Sequence, residues 1–119
     1  MANRWSIEEE SWLAEMWQNV HEFHASEGPF WQVVTQKFNE QSDGPFRSKN
    51  QLTSKWARMN CDCQKFHEIY LNLQPTCELD VRLEDAMNVY KEHNGGKDFK
   101  YFQVWLILKD NVNWNRYMN

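Results

Sequence analysis

SKNQLTSKWARMNCDCQKFHEIYLNL, residues 48–73, is the stretch on which the fold turns. Leu52, Trp56, Met59, Cys63, Phe66, Tyr70 and Leu73 recur at alternating spacings of four and three, which is one face of an α-helix. Ser48 followed three residues later by Gln51 is a capping box, in which two side chains satisfy backbone donors at a helix start. Pro75 cannot continue the backbone ladder. The spacing therefore predicts a long helix from 49 to about 73 with a single apolar seam. On the opposite face, at about 100° per residue, lie Arg47, Gln51, Ser54, Arg58 and Lys65, with Asn50 and Lys55 flanking. Between Arg47 and Arg58 every formal charge is positive, although the chain carries a net charge of -4 and a pI near 5.5.

Working outward, Ser6 and Glu9 form another capping box. Leu13, Met16, Trp17 and Val20 then mark one helical face. Glutamates crowd its first turn, where the helix dipole favours negative charge. "EGP" at 27–29 breaks this helix, and Phe30 or Trp31, Val34 and Phe38 mark a second. "SDGP" at 42–45 reads as a turn. Downstream, Leu83, Ala86, Met87 and Tyr90 predict a fourth helix, stopped by "NGG" at 94–96. "DFKYFQVWLILK", 98–109, is apolar nearly all round and fits a buried strand or helix by pattern; its helical surroundings favour helix. Trp5, Trp31 and Trp56 are each expected to plug one of the first three helices into a shared core. The seam of the long helix outruns what three helices of this size cover, so residues 81–117 are expected to bury it. The expectation is one all-α domain, 1–119: a three-helix core at 5–74 and a helical extension at 81–117.

Composition narrows the chemistry. Seven Trp, seven Phe and four Tyr in 119 residues supply a large aromatic core. The mean hydropathy of -0.86 makes the remaining surface very polar. The longest apolar run, VWLIL, is too short to span a bilayer. The start MANRWSIEEE has neither the basic nor the apolar region of a signal peptide. Three cysteines make no disulfide framework, and reduced thiols in the cytosol or nucleus fit. There is no phosphate-binding glycine loop, nucleophile elbow or HExxH. Cys61 and Cys63 point about 200° apart on a helix, and the pair Cys63 and His67 falls short of the four ligands of a structural zinc site. His21 and His24 read as solvated residues near a helix end. No catalytic role, metal, cofactor, membrane or small-molecule substrate is expected.

Six segments in order carry a family resemblance: RWSIEEESWLAEMW (4–17), FWQVVTQKFNE (30–40), RSKNQLTSKWARM (47–59), CQKFHEIYLNL (63–73), LEDAMNVYKE (83–92) and FKYFQVWLILKDNVNW (99–114). Together they resemble the plant Myb/SANT-like domain, related to trihelix factors, of accessory proteins of PIF/Harbinger-type transposons and host proteins derived from them. "PTC" at 75–77 replaces the family's small-residue pair, and Asn113 stands where a basic residue is usual. The resemblance implies a three-helix, helix-turn-helix core with an extended third helix, a nuclear location, and double-stranded DNA as partner. It also implies a Harbinger-transposase-like protein as a second partner.

Two functions follow. In the first, the start of the third helix enters the major groove. Arg47 and Lys49 would take phosphates, Asn50, Gln51 and Ser54 would face bases, and Lys55 and Arg58 would brace the flanking backbone. In the second, the chain is a SANT-type interaction module of a chromatin complex. Glu8 and Glu9 in the acidic first helix would then attract a histone tail or another basic partner. Tyr101, Trp105 and Trp114, with Phe102 and Tyr117, would dock a protein. The plain alternative is that the four bases form a solvated helix face balancing nearby glutamates.

Overall fold

A computed structural model describes residues 4–73 and 79–118, and among these residues the secondary structure is entirely helical. The order is α1 (Ile7–Phe23), α2 (Phe30–Gln41), α3 (Lys49–Asn72), α4 (Leu79–His93), α5 (Phe102–Leu108) and α6 (Val112–Met118). Both capping boxes form: Ser6 with Glu9 opens α1, and Ser48 with Gln51 opens α3. Pro75 lies outside the described residues. Gly95 and Gly96 both adopt positive φ, and the Gly96 N–H donates to the Lys91 carbonyl, closing α4. No helix is long and apolar enough to cross a membrane among the described residues.

The seam of α3 is buried along its length through Leu52, Trp56, Met59, Cys63 and Phe66, with Tyr70 and Leu73 packed at its edge. Its first half meets α1 and α2. Trp56 stacks on Trp17 with ring centroids 4.8 Å apart and planes 16° from parallel. Trp31 flanks Trp56 at 6.4 Å, and Trp5 lies against Phe38 at 6.0 Å; both stay half-buried. Trp17, rather than Trp5 or Trp31, is thus the central partner of Trp56.

The second half of the seam meets α4, α5 and the segment between them. Phe99 stacks on Phe66 at 4.3 Å, and Trp105 packs edge-on against both Phe66 and Tyr70. Here one expectation is corrected. Only Phe102–Leu108 of the 98–109 segment is helical. Before it the chain runs without helix: Phe99 and Tyr101 are buried while Asp98 and Lys100 are exposed. That alternation has a period of two, which suits an extended backbone and not a helix. Asn111 caps α6 by accepting the Trp114 N–H.

Polar groups inside the core are paired. Trp114 Nε1 donates to Asn60 Oδ1 at 2.8 Å, and Trp105 Nε1 donates to His67 Nδ1 at 3.0 Å. Gln18 on α1 donates to the Ile107 carbonyl at 2.7 Å, so α5 is held by α1 as well as by α3. Among the described residues no fully buried side-chain nitrogen or oxygen lacks a partner.

His67 makes acid stability a testable consequence. Its Nδ1 accepts the indole proton, so that nitrogen is unprotonated in the fold. Burial lowers the His67 pKa below the ordinary histidine value, and partial desolvation beside Trp17 and Phe30 lowers that of His21. The unfolded chain therefore takes up more protons than the folded one below about pH 6.5. The contribution of these residues is complete above that pH and is lost as pH falls through the lowered folded values. Urea melts from about pH 7.5 to 5 should show declining stability, and His67→Gln should remove part of the slope while retaining an acceptor for Trp105. A wild-type stability flat across this window would refute the assignment.

Candidate nucleic-acid interface

The start of α3 is set in place by its neighbours before any partner arrives. Asn39, near the end of α2, clamps the backbone of Arg47: its Nδ2 donates to the Arg47 carbonyl at 2.8 Å, and its Oδ1 accepts the Arg47 N–H at 2.9 Å. The Arg47 side chain then turns inward. Its Nε donates to Glu9 Oε2 at 2.9 Å, and its Nη2 donates to Glu9 Oε1 at 3.0 Å and to the Arg4 carbonyl at 2.9 Å. The guanidinium also covers the Trp5 ring at 4.3 Å. Glu9 Oε1 additionally accepts the Ser6 N–H, so one carboxylate both caps α1 and anchors the approach to α3. Burial alone would raise the Glu9 pKa; the hydrogen bonds from Arg47 and Ser6, with the charge of Arg47, outweigh it and hold the group below its usual value.

Two sequence expectations are corrected by this pair. Arg47 is 1% exposed and takes no place on a phosphate-facing surface. Glu9 is likewise buried and is not presented to a basic partner. The physical reason is complementarity at close range: a bidentate arginine–carboxylate pair satisfies both groups where either alone would be costly to bury.

The remaining residues divide clearly. Lys49, Asn50, Gln51, Ser54 and Arg58 are exposed along one side of α3. Gln51 spends its Oε1 on the Ser48 N–H at 2.8 Å, leaving its amide nitrogen to donate outward. The side chains of Lys49, Asn50, Ser54 and Arg58 have no hydrogen-bond or ion-pair partner among the described residues. Lys55 is half-buried and committed: its Nζ lies 2.8 Å from Glu10 Oε2, 3.4 Å from the Tyr101 hydroxyl, and over the Trp5 and Tyr101 rings. It ties α1, α3 and the segment before α5 together. Trp5, Gln51, Ser54, Lys55 and Arg58 line a shallow depression on this side.

The C-terminal aromatics offered as a docking surface lie inside instead. Tyr101, Trp105 and Trp114 are all buried, with the indole N–H groups of both tryptophans satisfied internally. Phe102 is half-buried, and the Tyr117 side chain lies outside the described residues. Glu8 remains exposed.

Other candidate chemistry is also spoken for. Cys63 is buried, and burial pushes its thiol well above the usual range, so it is a poor nucleophile or ligand. His67 is committed to Trp105. His21 is exposed, as expected of a residue near a helix end, and its ring also lies against those of Trp17 and Phe30 at 4.2 and 4.3 Å. No group of three or more His, Cys, Asp or Glu able to hold a metal occurs among the described residues. Asn39 had no signal in the sequence, because a clamp eight residues away across a turn has no periodic signature. No family model, curated protein or solved structure matches this chain.

Proposed function

We propose that this chain is a duplex-DNA-binding module of Myb/SANT-like type, in which α1 and α2 carry α3 and the first turns of α3 enter the major groove. The observation that supports it is the uncommitted, exposed row Lys49, Asn50, Ser54 and Arg58 on a helix start held by the Arg47–Glu9 pair and Asn39. A reading helix needs that combination: side chains free to contact bases, on a backbone already ordered. Lys49 and Arg58 take phosphates. Asn50 is suited to adenine, to which an amide can pair bidentately, and Ser54 donates or accepts at a base edge. Gln51 donates only, since its oxygen serves the cap. Arg47 acts as internal support.

With a net charge of -4, the chain repels non-specific DNA, so recognition depends on a selected site or on a partner. The family resemblance supplies the rest of the proposal: a nuclear, transposon-derived protein that works beside a Harbinger-transposase-like partner and has no catalytic role of its own.

Selection of bound sequences from a random duplex library, with the chain alone and with that partner, tests the reading. Lys49→Ala should weaken binding to every sequence and reduce the salt slope by about one unit, whereas Asn50→Ala should relax discrimination at one position by about 1–3 kcal/mol. Absence of enrichment in both selections, with no chemical-shift change at residues 49–58 in low salt, would refute it.

A second reading keeps one specific support. Glu8, Glu15 and Glu22 are all exposed and seven residues apart, which lays an acidic stripe along α1. A SANT-type module would set a basic histone tail there. Shifts confined to α1 on adding such a peptide, with none on adding duplex DNA, would favour it.

A further inference from the structure

The basic surface does not end where the start of α3 ends. Arg58, Asp62 and Lys65 follow one another down the same side of α3, and across from them the segment leading into α5 presents Lys97 and Lys100. Together they line an open cleft of about 390 Å³ with Tyr90 and Tyr101 in its wall. The placement of Lys100 is a consequence of packing: Phe99 and Tyr101 on either side of it are buried, so the extended backbone turns Lys100 outward. Arg58, Lys65, Lys97 and Lys100 are all exposed, and their side chains have no ion-pair partner among the described residues. Of the two carboxylates lining the cleft, Asp98 already faces Lys91 at 3.6 Å. A cleft with four cations against two carboxylates is locally positive in a chain whose net charge is -4.

Helix length says what this cleft would meet. The 24 residues of α3 span about 36 Å at 1.5 Å per residue. The major groove is about 12 Å wide, which is also roughly the rise from Asn50 to Arg58. With the first turns of α3 set across the groove, Arg58 would stand at its rim and Lys65 beyond it, over the sugar-phosphate backbone.

Resting on the DNA-binding reading, we propose that Lys97 and Lys100, with Arg58 and Lys65, form a second contact to the DNA, a phosphate clamp on the strand bordering the groove. Half of it comes from α3 and half from the segment preceding α5. The C-terminal half thus has two roles, burying the α3 seam and widening the footprint on the duplex. The clamp follows the backbone and carries no sequence information.

The test compares two double variants of the full chain on the duplex recovered by selection, with affinity measured between about 50 and 200 mM salt. Lys97→Ala/Lys100→Ala removes two clamp charges. Lys37→Ala/Lys109→Ala removes the same net charge at residues outside the cleft, each beside a carboxylate. The clamp variant is expected to lose about two units of salt slope, near 0.9 per contact, while selecting the same consensus and keeping the wild-type helical spectrum. The control should keep the wild-type slope. In the wild-type chain, the Lys97 and Lys100 amides should shift on adding DNA. Equal slopes for the clamp variant and wild type, or equal losses in both double variants, would overturn the clamp and leave the groove-reading helix standing. Failure of the wild-type chain to bind any duplex would overturn the DNA-binding reading itself, and the clamp with it.

Discussion

Arg47→Ala is expected to destabilise the protein by about 3–5 kcal/mol, the cost of removing one partner from a buried ion pair. The substitution strips Glu9 of two charge-assisted hydrogen bonds, leaves the Arg4 carbonyl without its donor, and uncovers the Trp5 ring. Substituting a solvated surface cation such as Lys49 should change stability by less than about 0.5 kcal/mol. Urea melts of the two variants check the contrast, and DNA titration adds an independent readout. A phosphate-contacting arginine would leave stability intact and lower the salt slope by about one unit; an internal one does the reverse. Acid sharpens the test further. The Glu9 pKa is lowered in the fold, so the unfolded chain binds the extra proton, and the stability Glu9 contributes disappears as pH falls below the ordinary carboxylate range. In Arg47→Ala, burial works without the opposing guanidinium, so this acid-range loss should shrink or change sign. Unchanged stability of Arg47→Ala at neutral pH would contradict the buried pair.

Trp56→Ala should cost a similar amount, about 3–5 kcal/mol, for a different reason. The indole is 4% exposed, stacks on Trp17, and sits between Leu52 and Met59 on the same seam. Its removal leaves a cavity where α1, α2 and α3 meet. Trp31→Ala is the useful comparison, because Trp31 is half-buried at the margin of that cluster and leaves less empty volume. Its expected cost is clearly smaller. A loss below about 1 kcal/mol for Trp56→Ala would place the side chain outside the core and break the helical register of α3.

The local signals in this chain were legible because they act over one to four residues. Both capping boxes, the seam of α3 and the NGG stop are contained in short spacings, and each is found in the fold. The segment at 98–109 was ambiguous for an equally local reason. Apolar residues nearly all round hide the period, and only burial of Phe99 and Tyr101 against α3 and α4 decides that its beginning is extended. Trp105 and Trp114 pose the same difficulty: an aromatic near the chain's end fits a docking surface or a core, and the hydrogen bonds to His67 and Asn60 choose the core.

By itself, the sequence determined that the chain is helical, where its first three helices begin, and which face of α3 is apolar. The tertiary structure alone decided which charges on the other side remain free. Arg47 precedes the cap residue Ser48, so the 100° periodicity that places Asn50, Ser54 and Arg58 does not extend to it. Its direction is set by Asn39 across a turn and by Glu9, 38 residues away. Lys55 does lie on the helix, yet Glu10 and Tyr101 from two other elements claim it. Helical periodicity depends on backbone geometry shared by neighbours in sequence. Charge pairing depends on which side chains the folded chain brings within about 3 Å, and no short spacing encodes that.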